Sequence, residues 1–214
     1  MKSFSLVLPC YNESKSIENL IRRAIDAAKA NDFTSENFRL VVVENGSKDE
    51  SLEVLKKLKE TEIGKFFEIV EVKKNLGYGF GVWSGLKATK TEIVGWTHAD
   101  EQCDPADAFR AYRIVANSEK PTLVKGSRVG RAIKERAFTF CFETLAKLIL
   151  VQNVHEINAQ PKVFNRELLD ALESPPLDFA FDLYVLLTAK KLKFEFVEIL
   201  VRFPPRKHGE SKWA

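Results

Sequence analysis

Cysteine is scarce in this sequence: Cys10, Cys103 and Cys141 are its three, with no C-x-x-C spacing and an odd one left over. That excludes a disulfide framework and a thiolate zinc site, and it suits a reducing compartment. No run of about 18 uncharged apolar residues occurs, so no spanning helix is predicted. The nearest, Ala137 to Val151, is interrupted by Glu143 and Lys147. The first apolar stretch, Phe4 to Leu8, is too short for a signal peptide and stops at Pro9, so a cytoplasmic protein is expected. Charge nearly cancels, with 33 basic against 30 acidic residues and a net +3, which speaks neither for nor against nucleic acid. Repeats and low-complexity tracts are missing too.

What is present is 45% apolar and 29% charged residues over 214 positions, enough for one globular domain with a sizeable core. The chain alternates strands with helices. Phe4 to Leu8 reads as a strand, and Ser14 then caps a helix to about Ala30 with apolar Ile17, Leu20, Ile21, Ala24, Ile25 and Ala28. Strands at Phe38 to Val43, Phe66 to Val72 and Ile93 to Trp96 are separated by helices over about Glu50 to Glu60 and Tyr78 to Ala88. Pro105 starts another helix, and Pro121 to Gly126 another strand. Such alternation predicts an α/β fold, a mostly parallel sheet with helices on both faces, and ligands at the carboxyl ends of the strands.

The polar clusters fall at those ends. Pro9-Cys10-Tyr11-Asn12-Glu13, Glu44-Asn45-Gly46-Ser47, Asn75-Leu76-Gly77-Tyr78-Gly79 and His98-Ala99-Asp100 would line one crevice. Asp100, with Gln102 two residues on, offers oxygens to a hard divalent cation; helix capping before Pro105 is the alternative. Asn45-Gly46-Ser47 could equally be a capping turn. Gly77, Gly79 and Gly81 let backbone approach a ligand, or simply loosen a loop, and no Gly-Lys-Ser/Thr follows to make a Walker loop.

Together with Gly126-Ser127-Arg128 and Gly209-x-Ser211-Lys212, these segments stand in the order found in family 2 glycosyltransferases, and the chain resembles their dolichyl-phosphate mannosyltransferase and glucosyltransferase type from residue 4 to its end. Two departures stand out. Glu44-Asn45 replaces the usual Asp-Asp, and His98 takes the place of the first carboxylate of Asp-X-Asp. The resemblance implies a GT-A type, Rossmann-like fold with a nucleotide-sugar half (residues 1–105) and an acceptor half (residues 106–214). Pro9, Tyr11, Asn12, Glu13, Glu44, Asn45, Ser47, Asn75, Gly77, Ala99 and Asp100 would then bind the nucleotide sugar. Tyr11 would pack on the base, Glu13 accept from a ribose hydroxyl, and Glu44 take a base N–H.

A cation, Mg2+ or Mn2+, would sit on Asp100, Gln102 and His98; for His98 a phosphate hydrogen bond or a satisfied strand-end histidine is the alternative. Arg128 and Arg131, followed by Lys134 and Arg136, suit an acceptor phosphate, as solvated charges would also explain the later ones. Gln160 and Lys162, in a segment resembling the family's Asp-x-x-x-Gly-Phe-Lys, could face sugar or acceptor; an edge strand tolerating Pro161 is the alternative. Asp182 is a candidate base for a hydroxyl acceptor, or a carboxylate favoured at a helix start. The tail, with Arg206, Ser211 and Lys212, would form a basic flap over the diphosphate.

Asp100, Arg128 and Asp182 are thus the catalytic candidates of an inverting sugar transfer to a polyprenyl phosphate. Transfer to a saccharide hydroxyl, and a catalytically silent nucleotide-sugar binder, are the competing readings. The apolar stretch Ile133 to Val151 suggests peripheral contact with the cytoplasmic face of a membrane, or an internal helix.

Overall fold

The computed structural model describes residues 1–129 and 156–204. Its seven strands are β1 (Phe4–Cys10), β2 (Phe38–Glu44), β3 (Phe67–Glu71), β4 (Ile93–Trp96), β5 (Thr122–Val129), β6 (Lys162–Asn165) and β7 (Glu195–Arg202). They form one sheet in the order β3-β2-β1-β4-β6-β5-β7. All pairings are parallel except those of β6, which runs antiparallel to both β4 and β5. The carboxyl ends of the other described strands therefore share one rim, and the amino end of β6 joins them there.

The alternative weighed for residues 157–164, an edge strand tolerating Pro161, does not hold, because β6 is paired on both sides. Pro161 precedes β6, and its carbonyl still takes part in the pairing, accepting from Gly126 N at 2.9 Å. The strand itself is internal. The pattern of the first half is otherwise the expected one, with helices α1 (Ile17–Lys29), α2 (Ser51–Lys59), α3 (Tyr78–Ala88) and α4 (Pro105–Asn117), then α5 (Arg166–Asp170) and α6 (Ala180–Lys191). Helix α1 begins after Ser16 rather than Ser14. Ser14 donates its backbone N–H to Asp49 at 3.1 Å, and a turn from Glu13 delays the first helical residue.

Alternation along the strands feeds two cores. Phe4, Leu6 and Leu8 of β1 with Phe38, Leu40 and Val42 of β2 face α1 and α4. There the rings of Phe4, Phe33, Phe38, Phe109 and Tyr112 pack together, Phe4 edge-on to Phe109 at 5.6 Å. Val7, Val41, Val43 and Trp96 face α3, α5 and α6 on the other side. The expected helix at residues 133–151 and the tail lie outside the described residues.

Helix α3 seats close against the sheet because it presents Gly85. A Cβ there would lie 2.4 Å from Val7 Cγ1 and 2.7 Å from Val43 Cγ2, atoms of stiff side chains on central strands. Gly85→Ala is expected to lower stability by about 1–3 kcal/mol through overpacking, outweighing the roughly 1 kcal/mol that alanine gains over glycine in a helix. Urea denaturation reads the sign: the midpoint falls where propensity alone would raise it.

Candidate active site

The loops after β1 and β2 are locked to each other by their own polar side chains. Asn12, in the left-handed region at φ 56, donates its backbone N–H to Ser47 Oγ at 3.0 Å and accepts from Lys48 N at 2.7 Å. Glu13 accepts from Ser16 Oγ at 2.8 Å, and its backbone N–H reaches Ser51 Oγ at 2.9 Å. Buried Glu44 receives the backbone N–H groups of Ser47, at 2.6 Å, and Gly46, at 3.2 Å. Its carboxylate thus shapes its own loop. The Asn45 amide donates to the Gly77 carbonyl at 3.2 Å, and Asn75 accepts from Gly77 N at 2.8 Å. Gly77 sits at φ +122, and a Cβ there would meet the Leu177 carbonyl at 2.4 Å. An aspartate at position 45 could not make that donation, which gives the Asn45 departure a physical purpose. Pro9 and Tyr11 stay half-buried at the same rim.

Beyond β4 the backbone pairing continues one residue, Thr97 N to Val7 O at 3.1 Å, and then turns through Ala99-Asp100. Asp100 accepts from Gln102 N at 3.1 Å, with Glu101 left-handed at φ 60 between them. The helix cap is a different residue. Asp104 accepts from Ala106 N at 3.0 Å ahead of Pro105, so capping of α4 does not explain Asp100. Gln102 points its amide N–H at the Pro204 carbonyl, 3.0 Å away. Pro204 follows Phe203, whose ring lies 5.3 Å beneath the Arg128 guanidinium. Arg128 in turn donates to Glu156 at 2.6 Å. It stands on the part of β5 that runs with β7 past the end of β6, from Gly126↔Ile199 to Val129↔Arg202.

Beneath this rim lies a buried polar network. Lys162 and Asp182 are fully buried and ion-paired, and Lys162 also donates to the Ala159 carbonyl at 3.0 Å and sits over the Trp96 ring at 5.4 Å. Gln160 donates to Asp182 at 2.9 Å and to the Tyr78 hydroxyl at 3.2 Å, which also accepts from Trp96 Nε1 at 3.0 Å. The Tyr78 ring meets His98 at 5.9 Å and stacks on Phe179 at 5.5 Å. Asp182 is thus the anion of a buried pair and makes no capping bond of α6. Burial pushes the Lys162 ammonium below its ordinary pKa, with Asp182 opposing, and burial raises the Tyr78 phenol.

Burial likewise lowers the His98 pKa, against the pull of Asp100 and Asp182, which leaves a neutral imidazole at physiological pH. Among the described residues no three His, Cys, Asp or Glu gather as a closed metal cage. A cation that draws most of its ligands from phosphate and water needs no cage, and a carboxylate with a neutral imidazole fits it. Arg131, Arg206, Ser211 and Lys212 lie outside the described residues. Sequence reasoning set Tyr78 among the crevice residues without giving it a role and passed over Glu156 and Phe203; for Lys125, buried and paired with Glu198 at 2.7 Å, a lone lysine directly after Thr122-Leu123-Val124 was a usable signal. A shallow cavity lined by Arg113, Asn117, Thr122 and Glu195 lies at the amino ends of β5 and β7, away from this chemistry.

The sequence model of the family described as Glycosyl transferase family 2 matches residues 5–172. An undecaprenyl-phosphate 4-deoxy-4-formamido-L-arabinose transferase of Pseudomonas savastanoi pv. phaseolicola is 26% identical over 221 residues, covering 100% of this chain and 61% of its own length. The protein of that name from Aeromonas hydrophila is 25% identical, covering 100% and 64%. The chain therefore spans about three-fifths of these relatives (61% of the first). A crystal structure of glucosyl-3-phosphoglycerate synthase from Mycobacterium tuberculosis, in complex with Mn2+, uridine diphosphate and glucosyl-3-phosphoglycerate, superposes with a TM-score of 0.74 at 21% identity, over 98% of this chain and 73% of that one. That likeness is one of fold: a GT-A sheet with the same layering.

Lys162→Met should cost about 3–5 kcal/mol, because it leaves Asp182 charged and unpaired in the interior. Adding Asp182→Leu should recover most of the loss. Equilibrium unfolding of the single and double variants checks this, and equal losses in both would show that packing, rather than the uncompensated charge, dominates.

Proposed function

This chain belongs to glycosyl transferase family 2, and from that premise we propose that it moves a sugar from a UDP- or GDP-sugar to a polyprenyl phosphate with inversion at the anomeric carbon. The observation that carries the reading is the junction at the end of β7. Phe203 lies under Arg128 and Pro204 is bonded to Gln102, so a dipeptide separates the Asp100 turn from the arginine. Donor diphosphate and acceptor phosphate would meet across that junction.

In the proposed transfer an acceptor phosphate oxygen attacks the anomeric carbon from the face opposite the diphosphate. The bond to the diphosphate oxygen breaks, and the nucleoside diphosphate leaves with the electron pair. A phosphate is already anionic near neutral pH, so no base has to take a proton. Asp182, paired with Lys162 in the interior, supports that route over a saccharide hydroxyl, whose proton would need an accessible acceptor. Asp100 and His98 would hold Mg2+ or Mn2+, which when bound supplies Lewis-acid stabilisation of the leaving diphosphate.

Arg128 would orient the acceptor, and positioning with charge stabilisation would supply most of the acceleration. Tyr11 and Glu13 would take base and ribose, with Pro9, Asn12, Glu44, Asn45, Ser47, Asn75 and Gly77 shaping their loops. Arg206, Ser211 and Lys212 follow directly from the Gln102-bonded Pro204, which suits a flap over the diphosphate. Among the described residues no helix is long and apolar enough to cross a membrane. Peripheral contact with the bilayer that holds the acceptor completes the proposal, as the names of the relatives encourage.

Thermal shift with UDP- and GDP-sugars, with and without Mn2+, tests the donor half. A ligand at a hundred times its Kd stabilises by about 2.7 kcal/mol, and Asp100→Ala should remove the Mn2+-dependent part. Transfer of radiolabelled sugar into a butanol-extractable lipid, rather than into free saccharide, tests the acceptor half; label found in saccharide alone would overturn it.

A further inference from the structure

The three interior and rim cations on β5 and β6 differ in where their anions sit. Lys162 and Asp182 are sealed inside, and Lys125 is buried with Glu198 beside it. The Arg128–Glu156 pair reaches the rim: the side chains are 10% and 21% exposed, and Glu156 Oε2 accepts from Arg128 Nε at 2.6 Å. Glu156 is also held awkwardly, in the left-handed region at φ 47, one turn ahead of the segment that enters β6. A guanidinium offers parallel N–H pairs that fit carboxylate and phosphate alike. A carboxylate on that edge therefore occupies the place an oxyanion of an incoming molecule would take.

We propose that Glu156 is a displaceable stand-in for the acceptor's phosphate on Arg128. Binding is then an exchange of anions: the phosphate takes the Arg128 edge, the Glu156 carboxylate swings to solvent, and its backbone is released from the left-handed conformation. The device selects by charge. A phosphate monoester with its nearly two negative charges displaces a tethered carboxylate, whereas a neutral hydroxyl offers the guanidinium only an uncharged acceptor oxygen. Between substrates, Glu156 keeps Arg128 neutralised and aimed, stacked on Phe203.

The inference rests on the phosphate-acceptor reading above, and the test separates the two. Isothermal titration calorimetry of the full chain with farnesyl phosphate, farnesol and inorganic phosphate is compared for the parent and Glu156→Gln. A second variant, Glu156→Asn, places a residue that tolerates φ near +50 at this position and so keeps the fold. Both variants should bind farnesyl phosphate several-fold more tightly than the parent, farnesol should not respond, and adding Arg128→Lys should abolish the gain. Affinity that is unchanged or weaker in two folded variants overturns the inference, since a carboxylate that merely braces Arg128 would help the anion bind. If inorganic phosphate gains and farnesyl phosphate does not, the exchange stands and the lipid acceptor falls. If neither anion binds parent or variants, both fall.

Discussion

A buried ammonium group sets the terms for this site. Lys162 opens β6 on the face covered by α3 and α6, between Trp96 of β4 and Lys125 of β5. Its charge can stay inside only with Asp182, the Ala159 carbonyl and the Trp96 ring around it. Each of those partners comes from a different part of the chain, so satisfying one charge fixes the start of β6, the first turn of α6 and the end of β4 together. Through Gln160 and the Tyr78 hydroxyl the same network reaches the His98 ring, two residues before Asp100. The layer beneath the rim is tied together by these bonds, although Gln160 Oε1 and Asp182 Oδ2 stay buried without a hydrogen-bond partner among the described residues.

That dependence also explains what could be read from the sequence. Helix α3 and strand β4 stand where their periodicity placed them, and the buried stripe of α1 is the one its spacing predicts, since glycine, proline and apolar period are local signals. The GT-A fold follows from strand and helix alternation with the ordered motifs. The placement of β6 was not local. A short strand after a proline reads as an edge, and only pairing with β4 on one side and β5 on the other makes it internal. Asp182 likewise has the address of a helix-start carboxylate, and nothing nearby in the chain announces a lysine 20 residues away as its partner.

The motif residues at the rim divide by what they already hold. Asn12, Ser47 and Asn45 are engaged with backbone groups of neighbouring loops, and Glu44 and Asn75 with those of their own, so all act first by shaping the crevice. A motif can thus mark a site through loop geometry as much as through contact with a ligand. Asp104 relieves Asp100 of capping duty, which a sequence with Pro105 at the next helix start leaves undecided. Gln102 binds the root of the tail, so the turn carrying Asp100 and the segment that leaves β7 are positioned as one unit.

The histidine in place of the first carboxylate follows from the same surroundings. Position 98 feels both Asp100 and Asp182, and it lies against the Tyr78 ring in a packed environment. A carboxylate there would add a third negative charge to a region where burial already penalises any ion, with Lys162 committed to Asp182. An imidazole, its pKa lowered by burial, adds no anion there and sets its ring beside that of Tyr78. Lys162 and His98 are in this sense one solution: with an ion pair already under the rim, a side chain that adds no negative charge suits the position above it better than a further anion.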